Sequence, residues 1–534
     1  MTDISTLHDN LVRRVNVGDM LLRSVERFPE REMLVDGARR WSYRAFNRWT
    51  NQLAHGLASL GYGPGDRLAL MAGNCAEFLA TYFACAKLGV ACVPINLLWG
   101  PNEIGYVLAH AKARGAVVEA PLLARLVAAL PADGSVRDVV SMGEVPDAPL
   151  PAGVHASGFQ ALCAHQPDTE PEQVVANDAA VSILYTSGTT SAPKGVVASH
   201  LAICMDSLGT ALDTGMSGSD RITAMLPLFH TAQLNALCTP AIAVGAGIVV
   251  LREFHAASLL DLIERERLSV VFGLPLMVRA LCDAQEAQPR DLASLRLAVY
   301  AMAAMPQADL VRAMRLLGCE FSLMFGQTEM SPVATFFRPE HQLSHPGAVG
   351  TPATNVRVGI MDEHGGLLPA GATGEIVYRS PQLLNSYLDN PDATAEAFRH
   401  GWFHSGDAGH MDADGLLWFE DRFKDVIKSG GENVSSLEVE KAILATEPGI
   451  AEVAVVGLAH AHWTEAITAF ALPRPGSALD TGAVLKRLRE TLSAFKCPKD
   501  IVVLDALPKT ATGKIQKAQL RAQYARHYDV GPAA

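Results

Sequence analysis

A chain of 534 residues is too long for one hydrophobic core, so two or more domains are expected. Apolar residues make up 49% of it, enough for large buried cores, and the net charge of −12 argues against a general nucleic-acid or anionic-membrane binder. Nine cysteines stand singly, with no Cys-x-x-Cys pair, which reads as buried thiols in a reducing cytoplasm rather than as a metal centre.

The first residues, MTDISTLHDNLVRR, contain no apolar signal core. The longest apolar stretch, Leu237 to Leu251, is about 15 residues against the ~20 that cross a bilayer. Pro240, Gly245 and Gly247 interrupt it, so it reads as a buried helix, a turn and a strand. In chain order the patterning predicts strand 67–73, helix 76–88 and strand 91–96. There follow strand 221–226, helix 231–244, strand 247–251, helix 256–267 and strand 269–273, then strands 296–301 and 320–326 separated by a helix after Pro306. Such alternation implies parallel sheets covered by helices, with ligands bound beyond the carboxyl ends of strands. After about residue 350, Gly, Pro and Asp become frequent and short strands such as 374–380 appear, a β-rich texture. From about Val426 a compact α+β unit is expected: helix 437–445, strands 451–458 and 466–472, helix 481–492, strand 501–504. The boundary falls near Asp421–Lys424, giving domains 1–423 and 424–534.

YTSGTTSAPKG (185–195) follows an apolar run of strand length and carries no helix or strand pattern. Small side chains let backbone N–H groups approach an anion, and Lys194 offsets its charge, so the loop suits a polyphosphate. By itself a solvated Ser/Thr linker fits equally well. A Walker A loop does not fit, because Lys194 follows Pro193 and precedes Gly195.

Four further segments stand in order behind it: FGQTEMSP (325–332), GWFHSGD (401–407), DRFKDVIKSGGENVSSLEVE (421–440) and PKTATGKIQK (508–517). Singly, Glu329 could cap a helix, Asp407 could close a turn and Lys514 could be a solvated charge. Together with YTSGTTSAPKG they resemble the adenylate-forming superfamily of acyl-CoA synthetases, adenylation domains and beetle luciferases, from about residue 30 to 520. The resemblance implies an α/β fold. Its large N-terminal domain has parallel-type sheets covered by helices and a small β-rich subdomain, and its small C-terminal α+β domain is mobile. It also implies two half-reactions in one site. A carboxylic acid attacks the α-phosphate of ATP to give an acyl-adenylate and diphosphate, and a thiol then displaces AMP.

By that resemblance Thr186, Ser187, Gly188, Thr189, Thr190 and Lys194 handle the β- and γ-phosphates, with Ser191 where glycine is more usual. Glu329 is the Mg²⁺ ligand, a hard oxygen donor for a hard ion. Thr328 bonds the α-phosphate. Phe325, in place of the commoner tyrosine, stacks under the adenine with Gly326 beside it. Asp407 accepts from the ribose hydroxyls, Arg422 reaches ribose or phosphate, and Lys514 is the adenylation lysine. Lys424 matches the hinge between two domain orientations. Ser429, Gly430 and Gly431 flank a pantetheine tunnel, and Trp463 lies on the coenzyme A side, with Thr464 where glycine is usual.

PLFHTAQLN (227–235) matches the segment that gates the acyl pocket. His230 takes the aromatic gate position with a catalytic role; its plain alternative is a satisfied core histidine. Thr231, Leu234, Met302, Ala303, Pro332 and Val333 form the wall, mostly apolar and without the aspartate of amino-acid-activating relatives, which favours a hydrophobic acid. YAMAAMP (300–306) departs from a glycine-rich form, so Met302 should narrow the pocket toward shorter, alicyclic or aryl acids. Three readings follow: a coenzyme A ligase, a stand-alone loader of a carrier protein, or an oxidative or non-catalytic relative. Thr328, Glu329 and Lys514 together oppose the third. The expected partners are the acid, ATP and coenzyme A, with no nucleic acid and no stable membrane insertion; a homodimer is compatible with this reading.

Overall fold

The computed structural model describes residues 4–143, 150–186, 193–302, 305–422, 425–429, 432–460, 462–510 and 514–528. Two compact units emerge, Met1–Val358 with Tyr378–Phe403, and Gly359–Val377 with His404–Ala534.

Among the described residues the first unit is built on two large sheets. One runs in the spatial order Thr351–Pro352, Val333–Phe337, Glu320–Gly326, Leu297–Tyr300, Val270–Gly273, Arg221–Ala224, Gly247–Val250, Glu32–Asp36, Arg39–Ser42. Its central strands pair in parallel and its flanking strands antiparallel. The other runs Ser386–Tyr387, Lys194–Ser199, Ala180–Thr186, Ala91–Pro94, Arg67–Met71, Gly115–Glu119, Asp138–Met142, His155–Gly158, again parallel at its centre. Parallel strands covered on both faces are apolar throughout rather than alternating, and Ala91–Pro94 and Val270–Gly273 are buried at every residue.

Helix Ala76–Leu88 has the bounds its pattern predicts, and every residue but Glu77 is buried. It stops at Gly89, whose φ of +71° supplies the left-handed turn. Its one buried cation, Lys87, donates to Asn47 Oδ1 at 2.8 Å and pairs with Glu170 at 2.5 Å. Burial pulls the Lys87 ammonium below its usual range. The expected helix 231–244 is real but not uniform. It comprises Thr231–Gln233, a π-helical turn over Leu234–Cys238, and Thr239–Val244, ended by Gly245 at φ +82°. Pro240 has no N–H to return to the preceding turn, and π turns of this kind gather at functional sites.

Helix His200–Asp213, capped by Ser199 accepting from the Ala202 N–H, packs against both that π turn and strand Val333–Phe337. From it Asp206 reaches inward. Asp206 Oδ1 accepts from the Val333 N–H and from Gln382 Nε2, each at 3.2 Å, and Gln382 Nε2 also meets the carbonyls of Met330 and Val333. Asp206 Oδ2 is buried without a hydrogen-bond partner among the described residues. Burial therefore holds this carboxyl well above the usual range, only partly opposed by the Val333 N–H.

A stability prediction follows from the sign of that shift. A carboxyl whose folded pKa is raised contributes its stability below the unfolded value of about 3.9 and loses it progressively as pH rises toward the folded value. Asp206→Asn removes the titration while keeping the shape. Its melting temperature relative to the parent is expected to rise as pH climbs above about 4, where the unfolded carboxyl ionises and the buried one does not. A difference flat with pH would show that Asp206 is ionised and compensated.

In the second unit a four-stranded sheet runs Arg357–Met361, Gly374–Arg379, Phe403–Met411, Leu417–Arg422, with one or two end residues of its first three strands assigned to the other unit. Another follows the order Glu432–Val434, Ile427–Ser429, Thr464–Pro473, Ile450–His460, with Asp500–Val503 paired in parallel to Thr464–Pro473. Helices Ser436–Thr446 and Thr481–Thr491 cover it over a core that includes Ile427, Val439, Ile443, Val455, Ile467 and Leu488. Asp421 locks the end of one strand to the start of a helix: its carboxylate accepts from the N–H and the hydroxyl of Ser436, both at 2.6 Å.

Candidate active site

Thr186 and Lys194 lie directly opposite one another as Cα partners of an antiparallel pair. One strand therefore ends at Thr186 and its antiparallel neighbour begins at Lys194, on either side of the expected phosphate loop. Ser187, Gly188, Thr189, Thr190 and Ser191 lie outside the described residues, as do Ala303, Lys424, Gly430 and Gly431. At the base, Lys194 Nζ stands 5.0 Å from the centroid of the Tyr387 ring.

Strand Glu320–Gly326 carries Phe325 and Gly326 at its carboxyl end, and the 3₁₀ turn Thr328–Met330 follows. Gly326 pairs with Val333 just past an irregular step at Phe325. A Cβ at Gly326 would lie 2.0 Å from the Pro332 carbonyl oxygen and 2.8 Å from the Ala334 nitrogen, so close backbone approach, not a positive φ, demands glycine there. Glu329 is half-buried. Its Oε1 accepts from the Tyr387 hydroxyl at 3.0 Å. Burial, reinforced by that carboxylate, raises the Tyr387 phenol and keeps it a donor.

His230 precedes the helical segment at Thr231, its ring 4.7 Å from that of Phe229. Its Nε2 is buried without a partner among the described residues, and burial pushes the imidazole down to about 4, so it is neutral at physiological pH. Thr231, Leu234, Pro332 and Val333 are buried; Thr231 Oγ1 accepts from Asn235 Nδ2 at 2.9 Å. Met302 differs from them. It is 50% exposed, and its φ is +72°.

The second unit holds its own groups. Asp407 and Arg422 are Cα partners across an antiparallel pair, with Arg422 Nε 3.3 Å from Asp407 Oδ1. Asp407 is buried, and its N–H donates to Ser405 Oγ at 3.0 Å. Ser429 pairs with Thr464, which brings it beside Trp463. Lys499 Nζ lies 4.2 Å from the centroid of the Trp463 ring. Thr464 has a φ of +64°, a conformation a β-branched residue adopts only under strain. Lys514 is exposed, and its main chain is tied to Thr510. The Lys514 N–H donates to Thr510 Oγ1 at 3.2 Å, and the Thr510 N–H donates to the Lys514 carbonyl at 2.8 Å.

The sequence reading missed Tyr387, Asp206 and Gln382. SYLDN around Tyr387 carries no charge pattern of its own, and Asp206 sits in an ordinary helical run. Only their long-range partners distinguish them. Glycine is the expected residue at 464 and is common in the segment around 302, and both positions are left-handed here.

Among the described residues no group of three or more His, Cys, Asp or Glu could hold a metal ion, and no helix is long and apolar enough to cross a membrane.

Comparison with known proteins gives a concordant result. Residues 21–388 match the AMP-binding enzyme family, and residues 438–514 match the AMP-binding enzyme C-terminal domain. The indoleacetate–CoA ligase of Aromatoleum aromaticum is 34% identical over 501 residues, 94% of this chain and 95% of that protein. A feruloyl-CoA synthase of an Amycolatopsis species is 32% identical over 513 residues, 96% of this chain and all of that protein. The crystal structure of an anthranilate CoA ligase in complex with anthranoyl-AMP superposes with a TM-score of 0.86 at 28% identity, covering 96% of this chain and 98% of that one. The chain belongs to the AMP-binding enzyme family, the adenylate-forming superfamily, and is an AMP-forming acid–thiol ligase.

Proposed function

We propose that the protein joins a hydrophobic, ring-bearing carboxylic acid to coenzyme A, through an acyl-adenylate formed with ATP. The observation that carries the acid class is the character of the pocket segments. Leu234, Pro332 and Val333 are buried and apolar, and His230 is a neutral imidazole where an anion would be needed for an α-amine. The aromatic acids in the names of the two relatives and of the structural neighbour support the same class. Coenzyme A is favoured over a carrier protein as acceptor because both relatives are named for it.

The residues divide the work by charge. Bringing a carboxylate to a triphosphate opposes two anions, so cations and fixed donors must offset the repulsion and the charge that develops on transfer. Lys194, with Thr186 across the hairpin, faces the β- and γ-phosphates. Thr328 donates to the α-phosphate. Phe325 offers a ring face to the adenine, with Gly326 allowing close approach. Asp407, held by Ser405 and Arg422, accepts from the ribose hydroxyls. Lys514 bridges the attacking carboxylate and the α-phosphate as a mobile point charge. For the second step Ser429 and Trp463, with Lys499 against its ring, serve the pantetheine and coenzyme A side.

Glu329 fits a magnesium ion. It offers one carboxylate with Oε1 tethered by Tyr387, and such ions take one or two protein carboxylates and complete their shell with phosphate and water. When bound, the ion would neutralise phosphate charge. Lys424 remains the proposed hinge between residues 1–423 and 424–534.

Diphosphate release across a panel of aryl, alicyclic and straight-chain acids, with coenzyme A or a carrier protein as acceptor, tests this reading. The expected result is highest kcat/KM with aryl acids and coenzyme A. A clear preference for long straight chains, or for the carrier, would overturn it.

Met302→Gly tests the pocket wall and the backbone together. A left-handed L-residue costs about 1–2 kcal/mol, and glycine's greater chain entropy returns roughly 0.5–1 of it, so the variant is expected to be more stable by about 0.5–1 kcal/mol in urea denaturation. If Met302 narrows the pocket, kcat/KM should also shift toward longer acids by one to two orders of magnitude at most, at about 0.8 kcal/mol per buried methylene. A gain in stability with an unchanged acid profile would place the Met302 side chain outside the pocket.

A further inference from the structure

We propose that Tyr387 is a positioning residue that holds the metal-binding carboxylate and the phosphate-binding lysine in one fixed arrangement; this rests on the roles given above to Glu329 and Lys194. Three independent contacts meet at this residue and its neighbours. The Tyr387 hydroxyl donates to Glu329 Oε1 at 3.0 Å. The face of the same ring takes the Lys194 ammonium, 5.0 Å from its centroid. The backbone around Tyr387 stitches the two parent segments together. The Leu384 N–H donates to the Glu329 carbonyl, and the N–H groups of Asn385 and Leu388 donate to the carbonyls of Val197 and Gly195, all at 2.8 Å. Ser386 and Tyr387 are the Cα partners of Val197 and Val196, so this short strand extends the sheet whose next strand begins at Lys194. The Tyr387 N–H is itself tied to Thr394 Oγ1 at 3.0 Å.

The physical consequence is a division of one side chain between two charges. A free glutamate carboxylate samples many orientations. With Oε1 tethered, Oε2 is presented in a narrower range, which lowers the ordering cost of capturing an ion. The ring face meanwhile gives the ammonium a weak resting partner that phosphate oxygens readily outcompete. Groups that orient a metal ligand from behind commonly change metal affinity by ten- to a hundredfold.

The test is direct metal binding, with Mn²⁺ as the probe. Mn²⁺ would be titrated by electron paramagnetic resonance into the full-length protein with α,β-methylene-ATP, which cannot be cleaved at the reacting bond. Nucleotide affinity would be measured separately in EDTA. Tyr387→Phe keeps the ring and the Lys194 contact but removes the hydroxyl. It should weaken Mn²⁺ binding about tenfold and leave metal-free nucleotide affinity within about twofold. Tyr387→Ala should weaken both. Glu329→Gln is the control for the underlying reading. If Glu329→Gln weakens Mn²⁺ binding and Tyr387→Phe does not, the tyrosine is only a structural brace and the proposal fails alone. If Glu329→Gln binds Mn²⁺ as the parent does, the metal role of Glu329 fails and takes the proposal with it.

Discussion

Lys514→Ala is expected to lose acyl-adenylate formation by at least two to three orders of magnitude, the scale on which removing one preorganised charge-stabilising donor acts. Thioester formation from a supplied acyl-adenylate should stay within a fewfold of the parent, because the charge that Lys514 is proposed to offset belongs to the first step alone. The fold should not suffer. Lys514 is exposed, and the flanking segments 508–510 and 514–516 are joined by backbone groups that alanine retains: Thr510 N–H to the Lys514 carbonyl, Gln516 N–H to the Pro508 carbonyl, and the bridge between Lys509 and Ile515. Single-turnover diphosphate release measures the first half-reaction, and AMP release from the supplied adenylate measures the second. Equal loss of both, with an unchanged melting temperature, would remove Lys514 from its assigned role.

Gly326→Ala should be as damaging by a different route. The added methyl group meets the Pro332 oxygen at 2.0 Å and the Ala334 nitrogen at 2.8 Å, and neither is a side chain that can turn aside. The strand pair must open where Gly326 faces Val333, and Thr328 and Glu329 move with it. Overpacking of this kind costs about 1–3 kcal/mol in stability. The larger effect should be on nucleotide binding, with the dissociation constant for ATP rising at least tenfold as Thr328 and Glu329 lose their places. Gly318→Ala is the comparison. That glycine has a φ of +65° but open space around its missing Cβ, so it should cost stability alone. ATP affinity unchanged in Gly326→Ala would show that the turn does not hold the nucleotide.

Local pattern carried much of this architecture. Helix Ala76–Leu88 and strand Glu320–Gly326 have the bounds read from apolar runs and a glycine stop, because periodicity, propensity and capping act over a few residues. The single expected helix over 231–244 misses its π turn, since apolar periodicity does not register one extra residue per turn.

For the site, the five ordered motifs were legible because each is a run of unusual composition, rich in glycine, hydroxyl-bearing or charged residues. The sequence by itself thus determined the α/β class and the family, and it singled out Lys194, Glu329, Asp407 and Lys514 as candidates. Only the tertiary structure decided what stands behind those groups. Tyr387 lies 58 residues from Glu329, and Gln382 lies 176 from Asp206, and nothing near them in the chain marks either pairing. They meet because a two-residue strand joins the edge of one sheet and a helix packs against the end of another, and strand order is a property of the whole chain. The left-handed backbone at Met302 and Thr464 is of the same kind: local propensity opposes it, so the residue types there give no sign of it.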